Sequence, residues 1–166
     1  MSAAARSARV VVAGFGSRDR RDDGAGPLVA TLIAEQCSLA RDVGPLSDPL
    51  DLLGQWNDAD LVVVIDALRS GAPGGTIRVL EVDTGAAHEK TKPDDAWGVT
   101  STHGIGLAGV VRLARAVDQC PTRLVVVGIE GERFDFGEGL SPAVQAAVPE
   151  AVSRVLGLID EVRACA

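Results

Sequence analysis

Asp23, Asp66 and His103 are the residues of this 166-residue chain whose types and spacing fit metal chemistry. Asp23 belongs to the acidic loop Arg21-Asp22-Asp23-Gly24-Ala25-Gly26, which follows the apolar run Val10-Val11-Val12-Ala13-Gly14. A glycine-rich turn after a first strand ordinarily brings backbone N–H groups up to a phosphate. Here Asp19, Asp22 and Asp23 crowd the turn and would repel a phosphate, so the loop suits a metal ion or a cationic group. Asp66 terminates the run Leu61-Val62-Val63-Val64-Ile65. If the strands are parallel, its carboxylate emerges at the edge where open α/β sheets gather their ligands. His103 stands near a helix start, within Thr100-Ser101-Thr102-His103-Gly104. A helix N-terminus disfavours imidazolium and keeps the ring neutral, as a ligand must be. Two carboxylates and an imidazole, with positions left open, can hold a transition-metal ion.

Each of the three also has an ordinary structural role open to it. Asp23 can cap the first helix, Asp66 can accept N–H groups of the adjoining loop, and His103 can cap or pack. His88 sits in the polar segment Glu89-Lys90-Thr91-Lys92 and reads as solvated loop, as do Arg18, Arg20 and Arg21. No HExxH motif occurs, and no Ser–His–Asp or Cys–His constellation can be defended.

The elements that must position these residues alternate between strand and helix. Arg9–Gly14 reads as a first strand and Ala25–Cys37 as a helix, with Leu28, Leu32 and Ile33 at helical spacing. A short strand is expected over Leu39–Val43 and a second helix over Pro49–Trp56. Leu61–Ile65 is apolar throughout, as a central strand covered on both faces must be. Ala72-Pro73-Gly74-Gly75 turns into a strand over Thr76–Val82, and Asp83–Ser101 reads as a long polar loop. His103–Val117 is read as helix and Arg123–Val127 as a buried strand. Ser141 suits an N-cap and Pro142 the first position of a last helix running towards Arg163. The order predicts a three-layer α/β/α sandwich around a largely parallel sheet. A single domain over residues 8–164 is expected, with residues 1–7 as a flexible tail.

Apolar residues make up 46% of the chain and charged residues 23%, an ordinary globular balance. The net charge of −7 disfavours a nucleic-acid partner. Cys37, Cys120 and Cys165 are far apart and outside any CxxC, which argues against a disulfide framework or structural zinc and fits a reducing cytoplasm. No apolar stretch approaches membrane length, so a cytoplasmic protein without a membrane partner is expected.

With these residues in view the chain resembles the nickel–iron hydrogenase maturation endopeptidases. The resemblance rests on Gly14-x-Gly16, Asp22-Asp23-Gly24-x-Gly26, Asp66-Ala67 and His103-Gly104-x-Gly106-Leu107. It continues through Gly128-Ile129-Glu130-Gly131, Phe134, Gly137 and Gly139-Leu140-Ser141-Pro142-x-Val144, and so covers nearly the whole chain. The resemblance implies a five-stranded, phosphorylase/hydrolase-like α/β/α fold. It implies an activity that removes a C-terminal extension from the [NiFe]-hydrogenase large-subunit precursor after nickel delivery. It also places a metal-binding and catalytic trio on Asp23, Asp66 and His103, with nickel carried by the substrate. The chain differs from the family pattern at Ser17, where Asn is common, and at Gly44-Pro45-Leu46-Ser47-Asp48, where a Gly-rich turn with Thr is usual. That turn is linked to substrate selection, so the difference bears on which precursor is served.

On this reading the trio completes the coordination of the precursor's nickel, which anchors the peptide and polarises the bond or a water. One of the two carboxylates acting as base instead of ligand stays open. So does a non-catalytic protein that checks nickel loading. A Rossmann-type nucleotide module would use Gly14-x-Gly16 and Asp42, but Asp19 stands where its third glycine belongs. The fold of the spore germination protease is a more distant enzyme alternative.

Overall fold

The computed structural model describes residues 7–85 and 107–165. The β-branched runs become the strands, in the order β1 (Val10–Phe15), α1 (Ala25–Gln36), β2 (Ala40–Leu46), β3 (Leu61–Leu68), β4 (Ile77–Val82), α2 (Leu107–Ala116), β5 (Leu124–Glu130) and α3 (Pro142–Cys165). The sheet order is β2-β1-β3-β5-β4, parallel except for β4, which runs antiparallel to β5 at one edge. This is the expected five-stranded, largely parallel sheet.

Side chains on successive strand residues point to opposite faces, and the two cores follow that alternation. Val10 and Val12 of β1, Val63 and Ile65 of β3, and Val125, Val127 and Ile129 of β5 pack with α1 and α3. Val11, Ala13, Val62, Val64, Leu124 and Val126 face the other way, onto α2 and the segment holding Leu52 and Trp56. Burying each Val, Leu or Ile among them stabilises the fold by roughly 1.5–3 kcal/mol. The faces could be read in advance because every central strand is apolar on both sides.

Three expectations change. The helix expected over Pro49–Trp56 is one 3₁₀ turn, Pro49–Leu52. Asp48 caps that turn by accepting the Leu50 N–H at 2.9 Å, and Gly54 disfavours further helix. Leu52 and Trp56 are still fully buried. β2 runs past Val43 to Leu46, taking in part of the expected Gly44–Asp48 turn. The register slips there, Val12 pairing Asp42 but Gly14 pairing Pro45, so β2 bulges by one residue at Gly44, whose φ is +85°. Pro45 is tolerated because β2 is an edge strand. Lastly, β3 extends to Leu68, so Asp66 lies inside the strand, opposite Gly128 of β5.

Candidate functional site

The order β2-β1-β3 creates the site. The chain leaves β1 for β2 on one side and returns to β3 on the other, so a crevice opens beyond the carboxyl ends of β1 and β3. The start of α1 seals the floor of that crevice. A Cβ on Gly26 would fall 2.4 Å from the Ile65 carbonyl oxygen and 2.6 Å from that of Phe15, so only glycine lets the helix approach both strands. The loop after β1 brings Asp23 here, and β3 brings Asp66.

Asp23 does not cap α1, whose N-cap residue is Gly24 without a side-chain cap bond. Its carboxylate turns back and accepts the Ser17 N–H at Oδ2, 2.8 Å away. Gly16, at φ +115°, lies directly beneath: a Cβ there would sit 2.0 Å from the Asp23 carbonyl oxygen and 2.9 Å from Oδ1. The glycine turn is thus filled by the protein's own carboxylate, in the place a nucleotide phosphate would need. Asp42, the other residue a nucleotide would use, accepts the Gly44 N–H at 2.8 Å and shapes the β2 bulge.

Asp66 is partly buried and receives one N–H, from Ala67 at 2.8 Å. Desolvation pushes its pKa up to about 7; the Ala67 N–H opposes the shift and the charge of Asp23 adds to it. The like charge of Asp23 acts on Asp66 in the direction expected of two carboxylates near the same strand ends. By strand alternation Asp66 shares the face of Val62 and Val64, the α2 side of the sheet. His103 and His88 lie outside the described residues. Among the described residues no three His, Cys, Asp or Glu side chains converge as a metal cage would require. Cys37, Cys120 and Cys165 are free thiols. No helix among the described residues is long and apolar enough to cross a membrane.

Asp22 has a role the sequence did not disclose. Its carboxylate is completely buried and accepts four hydrogen bonds, from the N–H groups of Glu132 and Arg133 at 2.8 Å, the Ser141 N–H at 2.6 Å and the Ser141 hydroxyl at 2.9 Å. Burial alone would raise its pKa, but those donors outweigh it and hold the group below the usual carboxylate range. Ser141, expected as an N-cap, therefore gives its hydroxyl to Asp22, while Pro142 opens α3 as expected.

The loop after β1 is fastened to the β5–α3 loop at further points. The Arg21 N–H donates to the Gly137 carbonyl, that of Gly137 to the Asp19 carbonyl, and that of Asp22 to the Arg133 carbonyl. Arg18 and Arg20 are exposed, as read, and Arg21 is half-buried, yet each makes a contact: Arg21 pairs with Asp135 at 2.9 Å, Arg18 donates to the Thr31 hydroxyl at 3.0 Å, and Arg20 lies 4.9 Å from the centre of the Phe136 ring. Only distant residues could reveal these partners.

Fold and carboxylates together define a three-layer α/β domain with an acidic crevice at its topological switch point. The family profile HycI, hydrogenase maturation protease, matches residues 42–158, and the chain belongs to that family of maturation endopeptidases. The Hydrogenase 2 maturation protease of Escherichia coli K12 is 27% identical over 158 residues, covering 92% of each chain. HupD, a hydrogenase expression/formation protein of Rhodobacter capsulatus, is 28% identical over 152 residues, covering 89% of this chain and 70% of its own. In structure, the E. coli hydrogenase maturating endopeptidase HybD superposes with a TM-score of 0.72 at 24% identity, over 92% of this chain and 93% of that one. HybD of Thermococcus kodakarensis gives 0.68 at 24%, over 90% and 98%. These likenesses establish the fold.

Proposed function

We propose that this protease removes the C-terminal extension of a [NiFe]-hydrogenase large-subunit precursor after nickel insertion, and that nickel held by the precursor is what it recognises. The carrying observation is that Asp23 and Asp66 share the crevice between β1 and β3, close enough for Asp23 to push the Asp66 pKa upward. Two carboxylates held together in partial burial are stabilised by an incoming cation. His103 is assigned as the third ligand by its motif.

The protonation state of the site supplies the check. Without a cation, burial and the charge of Asp23 favour the protonated form of Asp66, holding its pKa up at about 7. A metal-bearing precursor displaces that proton and draws both carboxylates onto one centre, since ligand carboxylates must be deprotonated. Asp23 is already oriented by the Ser17 N–H, so little ordering remains. The bound precursor then presents its peptide at the crevice, and the cleavage becomes effectively intramolecular.

The test is a processing assay with nickel-loaded and nickel-free intact precursor, followed by the mass of the large subunit. Cutting of the loaded form alone is expected. Equal cleavage of both forms under stringent chelation would overturn the proposal.

A further inference from the structure

We propose that Arg69 and Phe134 form a carboxylate-binding subsite for the precursor's peptide, beside the crevice and at the end of β3. The inference rests on the peptidase reading and adds an anchor to it.

A cavity of about 620 Å³ opens there, lined among others by Arg69, Pro73, Gly74, Gly131, Glu132 and Phe134. Ligand pockets span roughly 300–1,000 Å³, so a few peptide residues fit. The Arg69 guanidinium stacks 3.9 Å from the centre of the Phe134 ring. The ring itself is held from behind. A Cβ on Gly131 would lie 2.5 Å from Phe134 Cζ and 3.1 Å from Asp22 Cβ, so the ring rests on a bare backbone next to the Asp22 anchor.

Stacking occupies the face of a guanidinium and leaves its in-plane N–H donors open, the geometry that grips a carboxylate bidentately. Among the described residues those donors have no ion-pair or hydrogen-bond acceptor. Of the two neighbouring acids, Glu130 is engaged and Glu132 is exposed at the pocket wall. Glu130 is buried and accepts the Ser70 N–H at 2.7 Å, the Gly71 N–H at 2.9 Å and the Ser70 hydroxyl at 2.7 Å. Glu132 lies across Gly74, where a Cβ would come within 2.4 Å of its Oε1. Arg69 is thus stacked on Phe134, with no acceptor for its N–H donors among the described residues.

Its distance from the chemistry also fits. Arg69 is three residues beyond Asp66, roughly 10 Å along an extended chain. A substrate carboxylate two or three residues from the scissile bond would reach it. The anion is either an acidic side chain of the extension or its terminal carboxylate.

The test uses the full-length protein and synthetic peptides of the precursor's extension, titrated calorimetrically. The peptides are native, with acidic side chains replaced by amides, with an amidated C-terminus, or with both changes. Arg69→Gln should weaken native-peptide binding about tenfold, and Arg69→Lys nearly as much, because the planar fork is lost. The doubly amidated peptide should bind wild type and variant alike, and the singly amidated forms identify the anion. Thermal melting should show Arg69→Gln folded, as its side chain is exposed. With loaded precursor the variant should raise KM and leave kcat nearly unchanged. Undiminished peptide binding by Arg69→Gln, or an equal loss on the carboxylate-free peptide, overturns the subsite. Tighter binding by that variant, with weaker binding by Glu132→Gln, would mean that the pocket takes a cation and also overturns it. If wild type binds the peptide through Arg69 yet never cuts loaded precursor, the subsite stands and the peptidase proposal falls.

Discussion

The loop behind β1 and the end of β3 each withdraw an aspartate from water, and they treat it in opposite ways. Asp22 is fully buried but meets four donors and stays charged, with its pKa lowered. Asp66 meets one donor and a like charge, and its pKa rises to about 7. Desolvation pushes both carboxyls upward; four donors outweigh it at Asp22, and one donor does not at Asp66.

The largest expected effect tests the proposed role of Asp66. Asp66→Asn should lower processing of loaded precursor about a thousandfold or more, because the amide keeps the shape and loses the charge a metal needs. Mass spectrometry of the large subunit checks it, and activity within tenfold of wild type would make Asp66 structural. The structural side comes next. Asp22→Asn sets an amide NH₂ against donors and should cost about 3 kcal/mol of stability, read from the urea midpoint. A loss under 1 kcal/mol would mean the four bonds hold nothing in place.

A smaller effect follows the proton. Asp66 has a folded pKa raised from 3.8 to about 7, so its contribution to stability is fully present below pH 4 and lost as pH rises through 7. In chelated protein, wild-type stability minus that of Asp66→Asn should fall across this window and level off above it. The shift bounds the fall at about 4 kcal/mol, and relaxation of the site will reduce it. A difference already level at pH 5 would show Asp66 titrating as an exposed carboxylate. The smallest effect belongs to Phe136, 79% exposed beneath Arg20. Phe136→Ala should change stability by no more than about 0.5 kcal/mol, since an exposed cation–π pair contributes little. A loss above 1 kcal/mol would show the loop to be more tightly built than its exposure implies.

The strands and the two-sided core were legible because Val10–Gly14, Leu61–Ile65 and Leu124–Val127 are apolar on both faces. Asp23 and Asp66 were legible as candidates because one lies in the loop that leaves such an apolar run and the other directly follows one in sequence. Asp22 was not, because adjacent identical residues look alike until the fold sends one inward to Ser141 and the other back to Ser17. Arg69 and Phe134 were missed as a pair because they lie 65 positions apart. The Pro49–Trp56 helix was overread because burial of Leu52 and Trp56 satisfies helical spacing as well as a single turn does.

The Asp22 anchor also dictates when the crevice can exist. Its bonds join residues 110, 111 and 119 positions apart, contacts that carry a large loop-closure cost and form late in folding. During synthesis Asp23 leaves the ribosome on the order of 10 s before the residues that fasten its loop. Until β5 has entered the sheet and Ser141 has arrived, the nascent chain carries both carboxylates without the scaffold that aims them. On the proposed site, cutting power therefore appears only once Ser141 has been made and β5 has joined the sheet.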